Sequence, residues 1–360
     1  MEKRFLRTFT DADLAEPALP PYDFRGTEQG EKFKKVVKPP RPPAGKVSLI
    51  HTDGVNQVDQ EWLVDEADLG ALGLVAEEIG MNNASEGGAP TGISSDSHVA
   101  ALSGGVDNRV WKPIGSIYPY NHRELSRMGT LDNDQCSATL VGRRVVLTAA
   151  HCVVGAGGGY VKQYTPRRNG TGSTLSNAPY GSPWGIDVIY SSQYIYEDCP
   201  AHYNSNLSVC RQLDWAIMLL DSNPWTTSNG TPGWMGYWVP GTYILSNDVL
   251  YNDGYPVCSG YPNPPSFCLT NFAYGMTTGS RAGAFISYSG SQPLDFTLGV
   301  DWSAGHSGGP VWTDYPGSNG PYVVGIAATE SNSTGPYPNA ARSMNSYLAN
   351  IISWVRATYP

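Results

Sequence analysis

The feature that most limits what this chain can fold into is its texture from Trp111 onward. Short apolar or aromatic runs recur at 137–149, 186–190, 215–220, 243–245, 249–251, 284–288, 296–300, 309–312 and 322–328, separated by Gly, Pro, Asn and Ser clusters. Runs of that length bounded by turn formers read as strands. The 41 Gly and 28 Pro among 360 residues favour many turns over long helices. Helices alternating with strands, which a parallel α/β sheet needs, are missing from the pattern. The expected fold is therefore all-β, a sandwich or barrel. One C-terminal helix is expected, with Tyr347, Leu348, Ile351, Ile352, Trp354 and Val355 on its apolar face and Ser343 as its N-cap.

The first 105 residues differ in character. They hold 10 Lys/Arg and 17 Asp/Glu, net −7, against 13 and 15, net −2, for residues 106–360; the two sum to the chain's −9. Neither part is basic, so nucleic acid is not an expected partner. No run approaches ~18 apolar residues, so no membrane span is expected. Residues 1–60 are charged and broken by prolines, and Pro39-Pro40-Arg41-Pro42-Pro43 excludes a helix across it. Residues 61–79 mix apolar and acidic positions at roughly helical spacing, with Gly80 at the end. Residues 81–105 are rich in Gly, Ser and Asn and read as a linker, a preferred kind of cleavage site. The expectation is a mostly irregular pro-region and linker over 1–105 with one helix, docked on a larger domain over 106–360.

All six cysteines follow residue 130, as three near-neighbour pairs: Cys136 and Cys152, Cys199 and Cys210, Cys258 and Cys268. Six cysteines permit about 15 connectivities. Local pairing is the simplest, since each bond then closes a short loop. Disulfides imply an oxidising compartment, hence secretion. No CxxC spacing occurs and the six histidines are scattered, so neither a metal nor another cofactor is expected. The first residues carry basic charge but no apolar signal-peptide core. Removal of a signal peptide and another export route both remain open.

Three motifs carry chemistry. Gly305-His306-Ser307-Gly308-Gly309-Pro310 sets a serine in a glycine turn that lets a ligand carbonyl approach bare backbone. Thr148-Ala149-Ala150-His151-Cys152 ends two short strands joined at a Gly-Arg turn, with Cys136 at the start of the first. Asp214 heads the apolar run Trp215-Ala216-Ile217-Met218-Leu219-Leu220. Acyl transfer from an amide needs a nucleophile, a base, a group that orients the base, and donors for the oxyanion. Ser307, His151 and Asp214 fill the first three roles, and the amides of Gly305 and Ser307 supply the fourth.

In the order His151, Asp214, Ser307, and in the runs around them, residues 106–360 resemble the trypsin-like, chymotrypsin-fold serine peptidases. Within that family the sequence is most similar to the bacterial glutamyl-endopeptidase (V8-like) branch. Asp107-Asn108-Arg109, Tyr118-Pro119-Tyr120, Arg168-Asn169-Gly170-Thr171, Pro179-Tyr180-Gly181 and Asp253-Gly254-Tyr255-Pro256 carry that likeness. The resemblance implies two six-stranded antiparallel β-barrels with the triad between them, followed by a helix over 343–357. It also implies a secreted endopeptidase acting on protein or peptide, made as a zymogen and trimmed within 90–106.

His306 stands where vertebrate-type members carry the aspartate that pairs with a new N-terminal amine, so activation by that ion pair is not expected. Asp301, six residues before Ser307, occupies the position that reads a basic P1 residue in trypsin. The expected specificity pocket comprises Asp301, Trp302, Ala327 and Glu330. Ala327 falls where the V8-like branch places its glutamate-reading histidine, and no histidine follows Ser307. A basic P1 residue is the leading expectation, with a structural role for Asp301 as its rival. A non-catalytic binder on the same fold is the alternative function. An esterase of another fold would need its histidine after the serine.

Overall fold

In the computed structural model, residues 1–8, 41–56, 58–71, 99–100, 128–131, 136–155, 158–166, 180–203, 206–221, 224–225, 234–240, 249–255, 277–282, 295–298, 305–313, 322–329 and 339–360 are described. The Cys136 and Val145 runs show how the strands arise. Strands β6 (Cys136–Leu140) and β7 (Val145–Thr148) are buried along their whole length. Gly142 lies in the turn between them, and the Val141 amide donates back to the Val145 carbonyl at 2.9 Å. β-branched Val145, Val146 and Thr148 suit a pleated, enclosed surface.

Two large, mainly antiparallel sheets result, beside a small pair of β8 (Val154–Gly155) and β9 (Gly158–Gly159). The first continues from β5 (Met128–Leu131) through β6 and β7 to β12 (Ala216–Leu220) and β11 (Gly185–Ser191), with β10 (Tyr164–Pro166) beyond β5. The outer members, β10 and β11, meet at a Gln163–Trp184 bridge. Backbone bonds from Tyr164 to Pro183 at 2.9 Å and from Gly185 to Lys162 at 2.8 Å complete that junction. The second sheet runs β16 (Asp295–Leu298), β19 (Asn339–Ser343), β18 (Tyr322–Thr329), β17 (Pro310–Thr313), β14 (Val249–Gly254), β15 (Thr277–Ala282). Strand β4 (Val99–Ala100), from the expected linker, pairs with the edge of β15, and β13 (Gly236–Tyr237) lies parallel to β18. The all-β expectation with a terminal helix is met; the expected pair of six-stranded barrels stands, among the described residues, as a nine-stranded and an eight-stranded sheet.

The N-terminal region departs from the reading of residues 1–60 as irregular. Strand β1 (Glu2–Thr8) pairs with β3 (Val58–Asp65), β3 with β2 (Lys46–Asp53), and β2 with β11 of the first sheet. The Asp53 carboxylate accepts the amides of Val55 at 3.0 Å and Asn56 at 2.7 Å, which sets the β2–β3 turn. The helix expected over 61–79 is confined to α1 (Glu66–Ala71) within the described residues, and residues 61–65 are strand. The acids of this strand have partners across the hairpin. Ser48 Oγ donates to Glu61 at 2.7 Å and Thr52 Oγ1 to Asp59 at 2.7 Å. Trp62 is fully buried, stacked on His51 at 3.9 Å and edge-on to Trp354 at 5.8 Å.

The C-terminal helix, Ser346–Thr358, follows a different cap from the one expected. Asn345 accepts the Leu348 amide at 3.1 Å, while Ser343 ends β19. Leu348, Ile351, Ile352 and Val355 are buried at helical spacing against the first sheet's core. The Cys136–Cys152 and Cys199–Cys210 disulfides form as local pairing requires. Cys258 and Cys268 lie outside the described residues.

Candidate active site

His151 leaves the end of β7 through Thr148 and Ala149 into a single helical turn, α2 (Ala150–Val153). Cys152 ties that turn to Cys136 at the start of β6. Asp214 lies in the short link before β12, and β12 pairs with β7 in the register Ala216↔Thr148. Adjacent strands therefore deliver the imidazole and the carboxylate to one point. The His151 Nδ1–Asp214 Oδ2 separation is 2.7 Å, and the His151 amide donates to Oδ1 at 2.9 Å. Asp214 is fully buried. A carboxylate held from both oxygens fixes the ring's orientation and leaves Nε2 as its opposite nitrogen.

The sequence reading of the triad left out a third contact on that carboxylate. Tyr203 Oη donates to Asp214 Oδ2 at 2.6 Å. Burial, reinforced by the Asp214 charge, pushes the Tyr203 phenol well above its ordinary range, so it stays a neutral donor. The only advance sign of its role is its place between Cys199 and Cys210, where it is the single tyrosine, with Tyr194 and Tyr196 shortly before.

The Ser307 turn is fixed by backbone. Gly305 and Gly308 have φ of 95° and 81°, the left-handed region that favours glycine. The Gly309 amide donates to the His306 carbonyl at 2.8 Å. The Gly308 amide donates to Ala327 at 2.8 Å, and the Ala327 amide donates to Gly309 at 2.9 Å. Ala327, expected to line the pocket, thus brackets the turn through its backbone, while its methyl packs in the second sheet's core.

What joins this turn to His151 is Ser137, at the start of β6. Its amide donates to Ser307 O at 2.7 Å, and its hydroxyl donates to Gly305 O at 2.7 Å and accepts the Tyr255 amide at 2.8 Å. A Cβ on Gly308 would fall 2.1 Å from Thr148 Oγ1 and 2.3 Å from Ser137 O. The turn therefore lies directly on the strands that lead to His151. Cys152 Sγ is 3.5 Å from Ser307 O, so the disulfide is wedged between the His151 and Ser307 segments. Cys136, Cys152 and His151 also resemble a metal-ligand trio, with ligand atoms within 4.8 Å of one another. Their sulfurs are committed to the disulfide and offer no thiolate.

His306 is buried beside Gly254, where any Cβ would meet its ring at 2.1 Å. The structure thus gathers His151, Asp214, Gly305 and Ser307 and places Ala327 against them. Asp301, Trp302 and Glu330 lie outside the described residues.

Residues 114–197, the stretch that carries His151, match the family model described as Trypsin. No curated protein matches the sequence. Solved structures similar to this chain include a Glu endopeptidase in complex with MPD, at 16% identity, 74% of this chain, 99% of that one and a TM-score of 0.48. A second is the protease Anisep from Arthrobacter nicotinovorans, at 16%, 64%, 97% and 0.42. A third is neuropsin of mouse brain, a serine protease, at 18%, 66%, 96% and 0.44. Over the His151 segment the chain is thus similar to the trypsin family, within an all-β fold of two main antiparallel sheets.

Proposed function

We propose that this protein is a secreted serine endopeptidase in which Ser307 is the nucleophile, His151 the base, Asp214 the orienting carboxylate, and the amides of Gly305 and Ser307 the oxyanion donors. The observation that carries the reading is the buried His151–Asp214 pair, 2.7 Å apart, beside a serine turn bonded to the same hairpin. Among the described residues, no backbone carbonyl accepts the amides of Gly305 or Ser307, which supports their role as oxyanion donors.

The chemistry follows from the groups. His151 Nε2 takes the Ser307 hydroxyl proton as Oγ bonds to the substrate carbonyl carbon. The carbonyl π electrons move to oxygen, and fixed amides stabilise that charge without reorganisation. The imidazolium, stabilised by Asp214, returns its proton to the leaving amine as the C–N bond breaks. Water then attacks the ester, giving its proton to His151, and Ser307 leaves with that proton as the free acid is released. Specificity follows the sequence reading in part: a basic P1 residue met by Asp301, with Trp302 and Glu330 beside it, while Ala327 acts through its backbone on the serine turn.

Residues 1–105 act in this reading as a pro-region removed within 90–106, leaving 106–360 as the peptidase. The pairing of β2 with β11 supports its docking on the catalytic sheet. Two disulfides support an oxidising location. The test is a fluorophosphonate probe on the purified chain, before and after N-terminal trimming, beside Ser307→Ala. Labelling of wild type at Ser307, gained on trimming, supports a zymogen. Its absence from trimmed, oxidised protein overturns the enzyme.

A further inference from the structure

The insertion between β11 and β12 is the part of the molecule that the peptidase reading leaves without a job. It consists of α3 (Ser192–Tyr196), α4 (Cys199–His202) and α5 (Leu207–Leu213), closed on itself by the Cys199–Cys210 disulfide. A surface decoration would point its polar groups at water. This one sends Tyr203 inward, with the residue only 2% exposed. The Tyr203 hydroxyl reaches Asp214 Oδ2 at 2.6 Å, the same oxygen that faces His151 Nδ1. Its ring meets the imidazole edge-on, at 5.8 Å and 70°.

The insertion is held from both ends. Cys199 and Cys210, both fully buried, flank Tyr203. Beyond them Arg211 pairs with Asp295 of β16, whose cross-strand neighbour is Arg342 of β19. Tyr203 is thus braced by a covalent loop and by an ion pair to the second sheet.

We propose that Tyr203 is a positioning residue of the catalytic site: its hydroxyl holds Asp214 in the orientation that His151 needs, and the disulfide-closed insertion exists in part to deliver it. The proposal rests on the peptidase reading above. A neutral donor on Oδ2 does two things. It pins the carboxylate against rotation, and it draws charge away from the oxygen facing the imidazole. The second effect weakens the hold of Asp214 on the imidazolium that forms during the reaction. Other groups set the same local field: Tyr194 on α3, Arg211 on α5, Asp295 on β16 and Arg342 on β19. None of them is altered by removing the Tyr203 hydroxyl alone.

The experiment uses the chain in the form that fluorophosphonate labels, full-length or trimmed. It compares wild type with Tyr203→Phe and with the Cys199→Ser, Cys210→Ser double variant. The readouts are labelling rate against pH, and kcat and KM for p-nitrophenyl acetate. For Tyr203→Phe the expected result is roughly a tenfold loss in kcat with KM unchanged, and an acidic limb moved to higher pH. The double variant moves both in the same direction. Because either substitution also removes a structural contact, fluorinated tyrosine at position 203 gives an independent reading. A more acidic phenol donates more strongly and shifts the acidic limb to lower pH, while the fold keeps every contact. A wild type that labels, with Tyr203→Phe and fluorotyrosine forms sharing its kcat and its pH profile, overturns the inference and leaves the peptidase standing. A change in KM alone also overturns it, since the insertion would then act on substrate. A wild type that fails to label removes both.

Discussion

The Ser137 amide donates to the Ser307 carbonyl at 2.7 Å, tying the strand that starts at the Cys136–Cys152 disulfide to the Ser307 turn. The Ser137 hydroxyl adds a bond to Gly305 O at 2.7 Å. One residue thereby sets the serine turn against the hairpin that carries His151. Ser137→Ala keeps the amide bond and removes the hydroxyl bridge between Gly305 and Tyr255. The expected cost is about 1–2 kcal/mol in stability. A roughly tenfold loss in kcat is also expected from the loosened Gly305. Urea denaturation and ester hydrolysis measure the two separately. Full retention of kcat would contradict the coupling.

Asp214→Asn tests the orienter. The amide offers an NH₂ where the buried carboxylate accepted Nδ1–H and the Tyr203 hydroxyl, so the imidazole tautomer is reversed. The expected fall in kcat at neutral pH is roughly 10⁴-fold, the scale of that substitution in a Ser-His-Asp triad. Stopped-time assays against p-nitrophenyl acetate check it. A change within tenfold would mean that Asp214 is a turn residue.

The N-terminal hairpin is expected to be structural in this chain. Trp62 is fully buried between His51, Trp354 and the sheet. Trp62→Ala should lower unfolding free energy by about 3–5 kcal/mol, as for other large core truncations. Denaturant melts of the full chain, read by Trp fluorescence and circular dichroism, give the value. A loss below about 1 kcal/mol, within the scatter of surface substitutions, would mean that the hairpin is only loosely applied.

Acid stability should show the hairpin turn. Partial burial works against the charged form of Asp53, but bonds from the Asn56 side chain and from the Asn56 and Val55 amides outweigh it and hold its carboxyl below the usual range. A depressed folded-state pKa contributes stability above the ordinary value, near ~3.9, and loses it as pH falls through the folded value. Asp53→Ala should therefore be less stable at neutral pH and lose less on acidification. Urea midpoints taken from about pH 7 to pH 2 should converge for the two proteins at the acid end. A constant gap across that range would contradict the assignment.

How much of this was legible beforehand varies by residue, for physical reasons. His151, Asp214 and Ser307 stand in runs whose chemistry is local, and their neighbours Cys152, Trp215 and Gly308 announce them. The strands around them follow from apolar runs cut by glycine and proline. Residues 61–65 were misread because Glu61 and Asp65 looked like a solvated helix face. Their partners, Ser48 and Lys46, come from another strand, and a single window cannot reveal a cross-strand pair. Ser343 lost the helix cap to Asn345 because Ser343 is the last residue of β19 and the helix begins only at Ser346. Ser137 and Tyr203 act through contacts 168 and 11 residues away. Neither carries a motif, and only the fold brings them to the site.

The central claim is that Ser307 is a nucleophile activated by His151. The most direct measurement is the site and rate of fluorophosphonate labelling, located by peptide mass mapping in the trimmed, disulfide-intact protein. The account predicts a single adduct on Ser307, lost in Ser307→Ala and slowed at least 10³-fold in His151→Ala. An unlabelled Ser307, or labelling that is indifferent to the loss of His151, would contradict it.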